Sequence, residues 1–254
     1  MADIIINSAI CVGCGECAAD CVANNIEIVE GKARLIDERC IACGHCYAIC
    51  PVSAVSMKGA EAADGIKLMS DYDGDEFLLA LKSRRSVRRF TDEAVSQEDI
   101  LKIIEAGRYC PTACNAQDVG FVILDKLMDE CQAAGVKAFR KMQRLAAAAP
   151  PIISNAKIDD DFFFKGAPVA ILTVSKSSLD AALASSYMEL MAESLGLGVF
   201  YSGFFVAATK YVPAVKKLLD LPEGSEVVTC LVIGHSDVKY RRIVPRKLSN
   251  LLLR

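Results

Sequence analysis

Eight of the twelve cysteines fall into two runs of one spacing. Cys11, Cys14, Cys17 and Cys21 follow C-x2-C-x2-C-x3-C, and Cys40, Cys43, Cys46 and Cys50 repeat it before Pro51. Three thiolates on a tight turn can hold three corners of an iron–sulfur cube. The fourth, three residues on, starts a short helix that points away and so ligates the other cube. Cys11, Cys14, Cys17 and Cys50 are therefore expected around one [4Fe–4S] cluster, and Cys40, Cys43, Cys46 and Cys21 around a second, close enough to form an electron wire. Gly13, Gly15 and Gly44 suit such turns, because glycine lets backbone approach a cluster and adopts positive φ. Zinc sites more commonly draw on two separated C-x2-C pairs. A disulfide framework would need export, and Met1 to Ile10 carries Asp3 and no basic residue before its short apolar run. A reducing cytoplasm is the expected compartment, and exposed clusters suggest an oxygen-poor cell.

The other four cysteines share no ligand spacing. Cys131 and Cys230 lie in apolar contexts and are expected to fill core. Cys110 and Cys114 lie in one loop but are not spaced as C-x-x-C, so a redox pair is not the expectation. His45, between two ligands, and His235, after an apolar strand, read as structural. Lys and Arg total 29 against 32 Asp and Glu, a net charge of −3, which favours neither nucleic acid nor an anionic membrane surface. No run reaches the ~18 apolar residues of a membrane span.

The elements that must carry these residues divide the chain of 254 residues into about two domains. Residues 1–58 form the cluster module, with short strands at Asp3 to Ile6, Glu27 to Val29, Arg34 to Asp37 and Ala54 to Met57. Its apolar bulk is small, so metal ligation should supply much of its stability. Residues 59–75 lose periodicity and read as a linker. Residues 76–254 alternate helical and extended patterns, which argues an α+β or α/β body. A helix begins near Asp75 with Phe77, Leu78 and Leu81 on one side. Another is opened by Ser96 with Asp99 three residues on, close to a capping box, and stops at Gly107. Phe121 to Leu124 is a strand. Ala133 to Ala149 is helical and broken by Pro150-Pro151, and Asn155 to Lys165 reads as a lid or exposed loop. Pro168 to Ser175 is a buried strand, and Asp180 is expected to cap a helix reaching Leu195. Val199 to Gly203, a helix from Val212 to Leu219, and a strand from Val227 to Gly234 follow. Tyr240 to Arg254 is basic, has no fold of its own and is expected to wrap a partner, a second copy in a homodimer.

A cationic stretch, Arg84-Arg85-Ser86-Val87-Arg88-Arg89-Phe90, offers anion-binding forks. Clusters deliver electrons singly, and a flavin is the cofactor that converts them to two-electron chemistry; its phosphate would need such cations. Residues 76–254 resemble the nitroreductase family of FMN flavoproteins. Arg84 to Phe90 is similar to that family's phosphate-binding R-x-S-x-[RK]-x-[FY]. Pro111, Thr112, Cys114, Asn115 and Gln117 fall in its P-S-x-x-N-x-Q loop, although the family's following proline and tryptophan are here Asp118 and Val119. Leu195 to Gly198 with Tyr201, Ser202 and Gly203 resembles the segment whose amides face the flavin edge. Pro222-Glu223-Gly224 precedes the penultimate strand, and Arg246 takes the place of the C-terminal cation at the phosphate. Residues 1–58 resemble a bacterial two-cluster ferredoxin.

The resemblance implies an α+β fold with a central mixed sheet flanked by helices, in an intertwined homodimer with FMN at the interface. Arg84, Arg85, Ser86, Arg88 and Arg246 would hold the phosphate, Asn115 would contact the ring, and amides around Ser202 and Gly203 would stabilise charge on the reduced flavin. The expected function is an oxidoreductase that passes electrons through two [4Fe–4S] clusters and FMN to an electron-poor small molecule such as a nitroaromatic. No nicotinamide-binding fold is visible, so the donor is reduced ferredoxin or NAD(P)H acting directly at the flavin. No side chain stands out as a general acid. The rival expectations are an electron-transfer or redox-sensing protein serving a protein partner, and a reductase of a non-nitro substrate.

Overall fold

The computed structural model describes residues 4–59, 71, 73–145 and 156–247. Most of the expected linker, the break at Pro150-Pro151 and residues 248–254 lie outside them. The chain gathers into two units, Met1–Ser70 with Thr112–Gln117, and Asp71–Pro111 with Asp118–Arg254.

The first unit is built from two antiparallel pairs. Strand β1 (Ile4–Ile6) pairs with β4 (Val55–Met57), and β2 (Ile26–Val29) with β3 (Lys32–Leu35). Glu30 and Gly31, at φ 53° and 73°, join β2 to β3 with both central residues left-handed, as a tight two-residue hairpin requires. Helices α1 (Glu16–Ala19) and α2 (His45–Ile49) each start behind a left-handed glycine, Gly15 and Gly44. The core is made of Ile4, Ile26, Ala33, Ala54 and Val55 with three of the run cysteines, Cys11, Cys17 and Cys46. So small an apolar core leaves the unit dependent on what the thiols bind.

In the second unit a sheet of order β5-β6-β8-β7 is formed by β5 (Gly120–Leu124), β6 (Val169–Val174), β7 (Gly198–Tyr201) and β8 (Val227–Gly234). These strands pair antiparallel; the parallel component of the expected mixed sheet is the bridge between Ser86 and Val199. Side chains alternate across a strand, and β6 is buried on both faces. Ala170, Leu172 and Val174 enter one core with Cys230 and Val232, while Val169 and Ile171 enter another with Leu231 and Ile233. Helices α4 (Gln97–Arg108) and α6 (Ser178–Ser194) supply Ile103, Met188 and Ala192 to the second core. Helices α5 (Met128–Leu145), α7 (Gly203–Tyr211) and α8 (Pro213–Leu219) supply Phe139, Phe205 and Val215 to the first. The body is therefore helix, sheet, helix in layers. No helix among the described residues is long and apolar enough to cross a membrane.

Helix α3 (Gly74–Ser83) is capped by Asp73, whose side chain accepts from the Asp75 and Glu76 amides. Its Phe77, Leu78, Leu79 and Leu81 are all exposed. The Ser96 hydroxyl accepts from the Asp99 amide at 3.0 Å and donates to its carboxylate at 2.7 Å, so the aspartate braces the capping hydroxyl, where the glutamate of a capping box would accept from the serine's backbone amide. Four expectations are corrected. Ser177, not Asp180, caps α6, accepting from the Asp180 amide at 3.2 Å; Asp180 sits buried in the first turn. Helix α5 starts at Met128, before the alanine-rich stretch, and α7 is a helix that the apolar Phe204 to Ala208 run concealed. The lid or exposed loop at Asp159 to Phe164 is neither. Phe162, Phe163 and Phe164 are buried at 8, 0 and 3% exposure, and Phe163 meets Phe139 edge-on at 5.1 Å. Only the acids face water, with Asp160 on Arg140 at 2.8 Å and Asp159 on Lys165 at 3.4 Å. Burying each ring is worth about 1.5–3 kcal/mol, which outweighs exposing it for the sake of adjacent charge.

Candidate cluster and flavin sites

The two cysteine runs fold alike. In each, a left-handed residue after the first cysteine, Gly13 at φ 66° or Ala42 at φ 51°, turns the chain back on itself. The capping glycine then sends the third cysteine into a short helix. One cavity is lined by Cys11, Cys14, Cys17 and Cys50. A second is lined by Cys21, Cys40, Cys43 and Cys46. Each thus takes three cysteines from one run and the fourth from the other, the partition expected from the spacing. Among the described residues no three His, Cys, Asp or Glu side chains converge where a single ion could sit; the thiols stand around a volume instead, as the corners of a cube require.

Amides are aimed at several of these sulfurs. Asn25 donates to Cys21 Sγ at 3.3 Å and Ala54 to Cys50 Sγ at 3.2 Å, equivalent contacts from the two runs. Ala33 donates to Cys11 Sγ and Ala42 to Cys40 Sγ, both at 3.4 Å. The Ala33 and Gly13 amides hold the Cys11 thiol below its ordinary range. Burial raises Cys17 and pushes Cys46 up to about 11. Ligands must be thiolates, so filling these sites releases protons, and charge delocalised into a cluster offsets the cost of burial. His45 Nδ1 lies 3.0 Å from Asp20 on the surface.

In the second unit the cationic stretch is drawn alongside β7 by the Val87 amide, which donates to the Val199 carbonyl at 2.9 Å. Gly198 makes room for it, since a Cβ there would stand 2.8 Å from the Val87 side chain. Arg84 is paired with the buried Glu189 of α6 at 2.5 Å. Burial, then Glu189, keeps the nearby Tyr201 hydroxyl protonated far above its ordinary range, and burial also raises Glu193. Arg85 and Arg88 rest on the rings of Tyr240 and Phe200, each 6.0 Å to the centroid, which leaves guanidinium edges for an anion. The segment after β8 is stitched to the same strip, because Ser236 donates to the Arg89 carbonyl at 2.7 Å and Thr91 to that of His235 at 2.9 Å. Arg246 lies exposed in the irregular C-terminal segment.

Two expected roles change. The Ser202 amide donates to the Cys230 carbonyl at 2.9 Å and its hydroxyl to that of Phe163 at 2.7 Å, so neither is left for a flavin. Further into α7 the Phe205 and Val206 amides both donate to the Ser202 carbonyl, at 3.1 and 3.2 Å, so the first-turn amides without a helical acceptor are those of Gly203 and Phe204. Asn115 is also engaged. Its side-chain nitrogen donates to the carbonyls of Ile41 and Ala42 at 3.2 and 2.8 Å, and its oxygen accepts from Gln117 at 3.0 Å. One lone pair of that oxygen is all it could offer a ring. The rest of the loop is local: Thr112 accepts from the Gln117 amide at 3.0 Å, and Cys114 is exposed. Cys110 is buried, bonded weakly to the Asp180 carbonyl at 3.8 Å, and its thiol is raised by burial. Cys131 and Cys230 fill core as expected. The pairing partner of Arg84 was missed from sequence, because Glu189 sits in a stripe whose methionines dominate the helical pattern.

Residues 81–235 match the nitroreductase family, and residues 3–51 match a 4Fe-4S dicluster domain. A Methanothermobacter thermautotrophicus protein named as an NADH dehydrogenase/NAD(P)H nitroreductase is 28% identical over 70% of this chain and 89% of its own length. The FMN reductase [NAD(P)H] of Bacillus subtilis is 30% identical over 63% of this chain and 66% of its own. In structure, an FMN-bound nitroreductase from Bacteroides fragilis superposes with TM-score 0.59 at 19% identity, covering 70% of this chain and 98% of that one. One from Desulfitobacterium hafniense gives 0.58 at 23%, with 69% and 98% covered. Identities this low speak for fold alone, but the sequence match covers more than half of the chain: it belongs to the nitroreductase family and carries a 4Fe-4S dicluster domain at its N-terminal end.

Proposed function

We propose that the protein is an FMN-dependent oxidoreductase, fed one electron at a time through two [4Fe–4S] clusters, that reduces an electron-poor small molecule such as a nitroaromatic. The observation that carries this reading is the sharing of eight cysteines between two cavities, three from one run and one from the other in each. FMN, when bound, supplies the change from one-electron to two-electron transfer. This chain's part is to hold and polarise it. Arg85, Ser86 and Arg88 would fix the phosphate, with Arg246 as a further cation and Arg84 reaching it through the donors that Glu189 leaves. The first-turn amides of α7 at Gly203 would stabilise negative charge. Tyr201, protonated throughout the working pH range, would be a neutral neighbour. Pro111, Thr112, Cys114, Asn115 and Gln117 stay in the proposed flavin loop on their motif.

Reduced ferredoxin, or NAD(P)H as in the names of the relatives, would be the donor. The apolar residues of α3, none of them buried, support assembly as a homodimer. The setting would be the cytoplasm of an anaerobe. Anaerobic purification should give a coloured protein with about eight irons per subunit and bound FMN, reoxidised within seconds by a nitroaromatic after reduction. A protein with both cofactors that a nitroaromatic leaves reduced would be an electron carrier for a protein partner. One lacking FMN would overturn the reading.

A further inference from the structure

We infer that Asn115, in the loop whose motif belongs to the flavin fold, is a positioning residue for the second cluster: its side-chain amide fixes the peptide that presents an N–H to the ligand Cys40. The inference rests on the cluster assignment above. Its geometry lies wholly within the first unit, to which Thr112–Gln117 belongs.

The carbonyl of Ile41 and the amide N–H of Ala42 are the two ends of one peptide group. Asn115 Nδ2 donates to that carbonyl at 3.2 Å, and the same group's N–H points to Cys40 Sγ at 3.4 Å. A planar trans peptide cannot turn one end without the other, so the asparagine and the sulfur hold it between them. The second Nδ2 contact, to the Ala42 carbonyl at 2.8 Å, fixes the next peptide and with it the left-handed Ala42. Polarising a carbonyl also strengthens the hydrogen bond its own N–H makes. The asparagine is itself well determined, since Gln117 Nε2 holds its oxygen at 3.0 Å. Cys114, Asn115 and Gln117 all have positive φ, an arrangement that persists only where surroundings impose it.

An N–H on a ligand sulfur favours the more negative, reduced state of a cluster and raises its potential. In the first run the corresponding amide on Cys11 is that of Gly13, joined by that of Ala33 in β3, whereas both Nδ2 hydrogen bonds of Asn115 go to Ile41 and Ala42 in the second. Loss of the Asn115 amide should therefore move one potential and leave the other.

The test uses anaerobically purified holoprotein and two variants. Asn115→Gly keeps a left-handed residue without strain and removes both donors. Asn115→Asp keeps the shape and sets carboxylate oxygens against two carbonyls. Electron paramagnetic resonance during a redox titration should show one cluster signal moved to lower potential in both variants, further in the aspartate, with the other signal in place. Iron should pass to a ferrous chelator several-fold faster for about half of the total. Both signals unmoved and iron release unchanged would overturn the inference. So would loss of FMN with both clusters intact, which would make Asn115 a flavin contact only. The wild type is assayed first: fewer than about eight irons per subunit would overturn the cluster assignment itself, a failure distinct from that of Asn115.

Discussion

The two cysteine runs reach one local shape by different means. In the first, the left-handed turn belongs to Gly13, where a Cβ would stand 2.1 Å from the Gly31 carbonyl oxygen. Only hydrogen fits there. In the second, the equivalent residue is Ala42, which keeps its Cβ at φ 51° and is held by hydrogen bonds from Asn115, 73 positions along the chain. One turn is set by what its own residue lacks, and the other by what a distant residue supplies. A repeated spacing therefore fixes the ligands but not the forces that hold them.

The largest test of this comparison is the crossing of ligands. Cys50→Ala should abolish the same spectroscopic signal as Cys11→Ala, and Cys21→Ala the same one as Cys40→Ala, with about four of eight irons lost in each. Signals grouped by run instead would show that the fourth cysteines do not cross.

Next in size, Gly13→Ala combines a left-handed alanine with an overlap against backbone. It should cost about 2–5 kcal/mol in chemical denaturation of the first unit and empty the Cys11 cluster first. Ala42→Gly should be nearly neutral, because relief of about 1 kcal/mol of left-handed strain is offset by the greater freedom of glycine in the unfolded chain. A loss above about 1 kcal/mol would mean that the alanine methyl packs where the hydrogen bonds were thought sufficient.

The smallest effect is expected where the runs meet at the surface. Asp20 and His45 are paired with 43% and 61% of their side chains exposed, and such pairs contribute about 0–1 kcal/mol. Asp20→Asn should leave the thermal midpoint of the iron-loaded protein within about 4 °C, which a melting curve checks.

Much of this was legible in the residues. Spacing alone grouped the eight cysteines as the two cavities do, because a cube needs thiols at its corners and a C-x2-C-x2-C turn reaches only three of them. Alternation and apolar runs located the strands, since β6 and β8 are buried on both faces and read as continuous apolar stretches. What misled was charge beside aromatics. Asp159 to Asp161 suggested exposure for the next three residues, and only the packing of Phe163 against Phe139 and Phe205 showed that the rings go inside. A cap was misplaced for a similar reason: Ser177 and Asp180 both suit the position, and the backbone chooses between them.

The sequence by itself determined the grouping of the eight cysteines, most of the strands and the family, because each depends on residue types at short range or on their order along the chain. Tertiary structure decided which polar groups remain available. Arg84 reads as a free cation until Glu189 is seen to take part of its donors, Ser202 as an amide donor until Cys230 accepts from it, and Asn115 as a ring donor until the Ile41 and Ala42 carbonyls take both of its protons. The reason is that a motif states what a side chain can donate, whereas each proton can be given only once, and its recipient can lie a hundred residues away.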